Sequence, residues 1–181
     1  MMDNFYELKV AGLKRQLPIC KVNDELSIAA FIMFSDVELT VACARDLLKK
    51  APEFDVIVTA EAKGIPLAYE MARQSGKNYV ACRKMSKLYM KNPVEVEVQS
   101  ITTARKQTLF LDQNEMDYLK GKKILIVDDV ISTGGSLLAL ETIVNKAEGD
   151  IVGKAAVLAE GVAAKRDDIF FLEVLPVFKT K

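Results

Sequence analysis

The run Lys123-Ile-Leu-Ile-Val-Asp-Asp-Val-Ile-Ser-Thr-Gly-Gly-Ser136 restricts what this chain can fold into more than any other. An apolar, β-branched stretch, read as a strand over Lys123 to Val127, ends in two adjacent carboxylates. A turn rich in hydroxyls and glycine follows. It opens a segment in which Leu137, Leu138, Leu140, Ile143 and Val144 fall at helical spacing. A buried strand running through a tight turn into a helix is half of a βαβ unit, and such units build parallel sheets. The turn also has chemistry of its own. Gly134 and Gly135 let backbone amides approach an anion with no Cβ in the way. The helix start adds unsatisfied N–H groups and partial positive charge, and Ser132, Thr133 and Ser136 add hydroxyl donors. A phosphate monoester fits there without a lysine in the loop. Asp128 and Asp129 are expected at a solvent-reachable strand end beside this cradle. Carboxylates next to a phosphate need another partner, and the vicinal hydroxyls of a ribose are the natural one. The pattern is neither the GxxxxGK[ST] phosphate loop nor the GxGxxG dinucleotide turn.

The rest of the chain has the same rhythm. Asp36 is placed to cap a helix carrying Leu39, Cys43, Leu47 and Leu48, with Pro52 beyond its end. Asp55 to Ala60 reads as a buried strand, Lys63-Gly64 as a turn, and Ile65 to about Gly76 as a helix with Pro66 in its first turn. Strands are expected at Tyr79 to Cys82, Ile151 to Leu158 and Phe170 to Val174, with a helix from Gly135 to about Ala147. The fold class predicted is α/β, a mostly parallel sheet flanked by helices. One segment differs: Val94 to Val98 alternates strictly and Gln107 to Leu111 is strand-like. These predict a projecting β-hairpin with Thr102, Thr103 and Arg105 near its tip, then a short helix around Asn114 to Leu119. Such excursions tend to act as lids.

Composition removes several function classes. The 181 residues suit one domain, and 25 basic against 25 acidic residues give no excess charge for a nucleic-acid partner. Without histidine, Ser-His-Asp and Cys-His catalysis are excluded, and three scattered cysteines make no zinc site. Scattered cysteines fit a reducing compartment. No run suits a secretory leader or a membrane span. The chain is expected to be cytoplasmic, with no membrane or nucleic-acid partner.

The segment around Asp128 and Asp129 resembles the phosphoribosyl-pyrophosphate signature of the type I phosphoribosyltransferases, most closely the version in adenine enzymes. Asp55-Val-Ile-Val-Thr-Ala-Glu-Ala-Lys-Gly64 resembles that family's strand and pyrophosphate loop. Tyr79-Val-Ala-Cys-Arg-Lys-Met-Ser-Lys-Leu88 resembles the segment leading into its flexible hood. The likeness runs from about Asp55 to Leu158. It implies a single phosphoribosyltransferase domain over residues 1–181, with an N-terminal hood at 1–54 and a flexible lid at 84–111. It also implies transfer of phosphoribose from 5-phosphoribosyl-1-pyrophosphate to a purine, in a homodimer, with Mg²⁺ held mainly by the substrate and by no direct protein ligand. By the same resemblance Asp128 and Asp129 would be catalytic, gripping the ribose hydroxyls. Ser132, Thr133, Gly134, Gly135 and Ser136 would hold the 5′-phosphate. Glu61, Ala62, Lys63 and Gly64, with Arg83, Lys84 and Lys87, would receive the pyrophosphate. The other reading of Arg83, Lys84, Lys87 and Lys91 is a solvated basic face, and of Glu61 and Lys63 an exposed strand-end pair.

The base is read from fewer residues. Ser132 stands where hypoxanthine-guanine enzymes carry an aspartate, which favours adenine. The stretch Ser100 to Gln107 lacks the Glu-Tyr-Gly of adenine enzymes and is closer to xanthine enzymes. Val130, Ile131, Lys21 and Val22 are candidates for the base pocket. Ile28 and Phe31, at helical spacing, suit either that pocket or plain core. A hypoxanthine or xanthine transferase, or a regulator sensing the same sugar phosphate, are the alternatives.

Overall fold

The computed structural model describes residues 5–99 and 106–179, so the expected hairpin tip with Thr102, Thr103 and Arg105 lies outside the described residues. Strands β1 (Phe5–Val10), β2 (Leu13–Lys21) and β3 (Leu26–Ala29) come first, then helix α1 (Val37–Leu48). Strand β4 (Val56–Ala60), helix α2 (Ile65–Ser75) and strand β5 (Asn78–Cys82) form one βαβ unit. The hairpin β6 (Val94–Gln99) and β7 (Lys106–Leu111) and helix α3 (Gln113–Leu119) lead to β8 (Lys123–Ile131), α4 (Gly135–Lys146) and β9 (Asp150–Glu160). A 3-10 turn (Gly161–Lys165) precedes β10 (Phe170–Leu175) and β11 (Val177–Lys179).

Among the described residues the central sheet has five parallel strands in the order β10-β9-β8-β4-β5. Its strands are apolar on both faces because both are covered. Val56, Val58, Ile124 and Ile126 pack with Leu137, Leu140 and Ile143 of α4. Ile57, Leu125 and Val127 face Leu39 and Leu47 of α1 and Leu67 and Met71 of α2. The chain therefore leaves β4 and β8, which are neighbours, toward opposite faces. That divergence opens a crevice at their C-terminal ends.

Two expectations need correction. The hairpin does not project freely near its base: Val96, Leu109 and Leu111 are buried in the α4-side core, and Lys146 Nζ donates to the Glu95 carbonyl at 3.2 Å. Alternation put valine on one face, and that face found α4. Ile28 and Phe31 are not helical either. Strands β1, β2, β3 and β11 form an antiparallel sheet, with Cys20 opposite Ile28 and Ile28 opposite Val177. The β1–β2 turn is the two-residue loop Ala11-Gly12, with φ of 51° and 79°, the left-handed pair that a tight hairpin requires. Among the described residues no helix is long and apolar enough to cross a membrane.

Asp36 joins the two layers. Its carboxylate accepts the Leu39 N–H at the start of α1 (3.1 Å) and two guanidinium donors from Arg15 of β2 (2.6 and 3.0 Å). The Arg15 hydrogen bonds hold the Asp36 carboxyl below its ordinary range. A lowered carboxylate stabilises the fold above the unfolded value of about 3.9, and the contribution is lost as pH falls through the lowered native value. Asp36→Ala is expected to cost about 1–2 kcal/mol at neutral pH. Asp36→Asn, which keeps the cap and loses the charge, should cost less and flatten the acid limb. Urea denaturation from pH 7 to pH 3 checks both.

Candidate active site

The crevice holds a cavity of about 500 Å³ walled by Ala60–Lys63, Asp128–Val130, Ser132, Ser136, Glu160, Leu175 and the segment Ile28–Ile32. A second cavity, about 200 Å³, shares Asp128, Val130, Ser132 and Ser136 and is closed by Ile131, Thr133–Gly135, Leu137 and Gln107 of the hairpin.

The turn after β8 is built to leave amides free. Gly134 has a φ of 82°, a conformation open to glycine and strained for other residues. A Cβ there would stand 3.0 Å from Arg166 Nη1. Among the described residues the N–H groups of Thr133, Gly134, Gly135 and Ser136 have no hydrogen-bond acceptor. The N–H groups of Ala62, Lys63 and Gly64 across the crevice are likewise unpaired among the described residues. Gly64 is needed for close approach: a Cβ would overlap Thr59 Oγ1 and stand 3.2 Å from Asp128 Oδ1. The Glu61–Ala62 peptide that opens this loop is cis. Two sets of free amides thus border the adjoining cavities, which share Asp128, Val130, Ser132 and Ser136, and free amides of this kind hold anions.

Between the loops lie the two carboxylates. Asp129 is not at the solvent-reachable strand end expected from the sequence, because β8 continues past the pair to Ile131, whereas Asp128 is half-buried and lines both cavities. Asp129 is only 3% exposed. Its Oδ2 has no hydrogen bond, and Lys63 Nζ stands 3.3 Å away as an ion-pair contact. Asp128 Oδ1 accepts the Asp129 N–H at 2.9 Å. Burial and then the charge of Asp129 push the Asp128 carboxyl well above its ordinary range.

Glu61 and Lys63 are not paired with each other. Glu61 Oε2 accepts the Lys84 N–H at 3.0 Å, while Oε1 lies 3.7 Å from both Arg83 Nη1 and Lys87 Nζ. The Lys84 hydrogen bond, aided by the Lys87 and Arg83 charges, lowers the Glu61 carboxyl. The basic segment is thereby tied to the amide loop. Lys84 lines the cavity, and Arg83 and Lys87 reach it through Glu61.

Lys21 and Val22 are not brought to the crevice. Both are exposed at the far end of β2, where Lys21 pairs with Asp24 at 2.6 Å and Val22 donates to the Leu26 carbonyl in the turn to β3. The returning strand, and the segment after it, supply the wall instead. Val130 lines both cavities and Ile131 only the smaller. Sequence reasoning missed Glu160, Gln107 and Arg166. Arg166 donates Nε and Nη2 to Asp168 at 2.8 and 2.7 Å, and Lys154 links Asp168 to Glu141 of α4. An acid closing an apolar strand was the one available signal for Glu160.

Known proteins resemble this chain in sequence and in fold. An adenine phosphoribosyltransferase from Thermotoga sp. (strain RQ2) is 39% identical over 103 residues, which are 57% of this chain and 58% of that protein. A hypoxanthine/guanine phosphoribosyltransferase from Methanococcus voltae is 35% identical over 129 residues, 71% of this chain and 65% of that protein. The chain therefore aligns with less than two thirds of the length of either relative. The crystal structure of adenine phosphoribosyltransferase from Thermoanaerobacter pseudethanolicus superposes with a TM-score of 0.66 at 23% identity, covering 78% of this chain and 84% of that one. That likeness supports the fold. The family model for the phosphoribosyl transferase domain matches residues 40–179, from within α1 to the end of β11, and the chain belongs to that family.

Proposed function

We propose that this protein is a purine phosphoribosyltransferase that uses 5-phosphoribosyl-1-pyrophosphate and, of the purines, adenine. One observation carries the reading: a carboxylate pair, Asp129 buried and Asp128 half-buried, lies between two loops of unpaired backbone amides that border adjoining cavities. The substrate has the matching order of charges, phosphate, diol and pyrophosphate. In this reading the amides and hydroxyls of Ser132–Ser136 hold the 5′-phosphate. Asp128 and Asp129 accept hydrogen bonds from the ribose hydroxyls, which satisfies the orphan Asp129 Oδ2. Ala62–Gly64, with Lys84 and the Arg83 and Lys87 charges, receives the pyrophosphate. The anomeric carbon loses its bond to pyrophosphate oxygen and gains one to purine nitrogen, and the nitrogen gives up its proton. Positive charge on the sugar in the transition state is stabilised by the buried carboxylates, because fixed charge acts strongly where water is excluded. Residues 1–54 are proposed as the hood, and within the expected lid 84–111 the strands packing Val96, Leu109 and Leu111 into the core are fixed, which leaves the basic segment from Lys84 as the proposed cover.

Mg²⁺ fits this site as a substrate-held ion. Asp129 has a buried oxygen without a hydrogen bond, and Asp128 and Asp129 line the same cavity. Magnesium keeps water and phosphate ligands, so Asp128 and Asp129 would meet it beside the ribose hydroxyls. When bound it would neutralise charge on the departing pyrophosphate. The apolar surface around Val37, Val41 and Tyr69, all exposed, supports a homodimer.

The relatives include adenine and hypoxanthine/guanine enzymes at similar identity, which supports purines as the substrate class. Adenine is proposed because Ser132, small and neutral, lines both cavities. A site whose polar groups suit one base rejects another by leaving groups unpaired, at about 1–3 kcal/mol each. Adenine is expected to be used at least about tenfold more efficiently than hypoxanthine or guanine, a gap of about 1.4 kcal/mol. Pyrophosphate release with each base in turn, then competition between adenine and hypoxanthine, tests the reading. Binding of the sugar phosphate without turnover of any base would favour the regulator; equal use of the bases would sink adenine alone.

A further inference from the structure

Glu160 is the one carboxylate in the larger cavity that neither amide loop nor the aspartate pair explains. It closes β9, with Ala159 opposite Ile131 of β8 and Glu160 opposite Leu175 of β10. That register places its side chain one strand away from the turn after β8, in the wall that also contains Val130, Leu175 and Ile28–Ile32. The residue is half-buried, and among the described residues its carboxylate makes no hydrogen bond or ion pair. Burial raises its carboxyl from the ordinary range, against an opposing influence from Lys63.

A half-buried carboxylate with no protein donor is open to accept a hydrogen bond from a ligand that displaces its water. The same cavity carries an apolar part of its wall, with Ile28, Phe31, Val130 and Leu175 suited to lie against the faces or edge of a flat ring. A purine that turns N9 toward the ribose held at Asp128 and Asp129 directs position 6 away from the sugar, against the wall that Glu160 shares with Ile28–Ile32 and Leu175. We propose that Glu160 reads position 6 of the purine by accepting a hydrogen bond from the exocyclic amine of a 6-aminopurine. This inference rests on the transferase reading above. A 6-oxo group would set its lone pairs against the carboxylate, so Glu160 supplies discrimination that the neutral Ser132 leaves undone.

The experiment is the adenine-to-hypoxanthine ratio of kcat/KM in wild type, Glu160→Gln and Glu160→Ala, with KM for 5-phosphoribosyl-1-pyrophosphate measured alongside. A carboxamide both donates and accepts, so Glu160→Gln can pair with a 6-oxo group and its neighbouring N1–H. It is expected to narrow the ratio by at least about tenfold, partly through a gain with hypoxanthine. Glu160→Ala is expected to lose at least about tenfold with adenine, while KM for the sugar phosphate stays unchanged in both variants. A merely structural residue would shift that KM and the melting temperature and leave the ratio alone. Wild-type turnover of adenine with an unaltered ratio in both variants overturns the role of Glu160 and leaves the transferase reading standing. Wild-type preference for hypoxanthine or guanine overturns the amine assignment. Failure of the wild type to use any base sinks the transferase reading itself.

Discussion

Gly134→Val and Thr133→Asp are each expected to weaken binding of 5-phosphoribosyl-1-pyrophosphate by at least about a hundredfold, or about 2.7 kcal/mol. They act by different means. Gly134 has a φ of 82°, and an L-residue there carries about 1–2 kcal/mol of local strain. A Cβ would also meet Arg166 Nη1 at 3.0 Å, and that guanidinium is anchored on Asp168. A branched side chain there strains the turn and presses on the anchored guanidinium, and relief of either disturbs the unpaired amides. Thr133 is exposed, so an aspartate there leaves backbone and core as they are and places negative charge in the cradle. Calorimetric titration measures the affinity, and thermal melting shows whether the fold survives. Near-normal affinity in a folded Thr133→Asp variant would remove the phosphate cradle, and with it the reading of the site.

The two loops and the sheet were legible because local chemistry fixes them. The β-branched runs at Val56–Ala60 and Lys123–Val127 suit only a covered parallel strand. Gly64 and Gly134 stand where a side chain meets Thr59 or an unfavourable φ. The N-terminal sheet was not legible. Its hairpin turns on Ala11-Gly12 rather than on a strong turn pair, and β3 is completed by Val177–Lys179 from the other end of the chain. No local period can report a partner so far away. The same distance explains Lys21 and Val22: the crevice wall is made by the chain after its return at Leu26, and nothing in the sequence marks where that return falls. Glu160 was hidden for another reason. An acid at the end of an apolar strand is ordinary, and only the β8–β9 register brings this one into the wall of the cavity that the carboxylate pair also lines. Asp129 was misjudged as solvent-reachable because the strand was expected to stop at Val127, whereas its pairing with β9 continues to Ile131.

That misjudgement sharpens the expectation for the aspartate pair. Replacing both Asp128 and Asp129 with Asn is expected to lower turnover by at least about a thousandfold, about 4 kcal/mol of transition-state stabilisation, without loss of stability at neutral pH. A buried charge lacking a hydrogen bond costs folding energy, and Asp129 Oδ2 is in that state with Lys63 its nearest cation. Asp128 gives the sign of the pH dependence. Its native carboxyl is raised, first by burial and then by the Asp129 charge, so the folded protein holds the proton more tightly than the unfolded chain. Below the unfolded value of about 3.9 the group is protonated in both states and costs nothing extra. As pH rises from there to the raised native value the penalty grows, and above that value it is constant. The Asn pair removes the penalty, so its melting temperature should equal or exceed that of wild type at pH 8, with the advantage shrinking toward pH 4. Asn at 128 can still accept the Asp129 backbone N–H, which keeps the strand end in place. Unfolding of the double variant would make the pair structural, and full turnover would end its role at the ribose. Lost turnover with retained or increased stability is what a pair of charges held for a ligand, at a cost to the fold, should give.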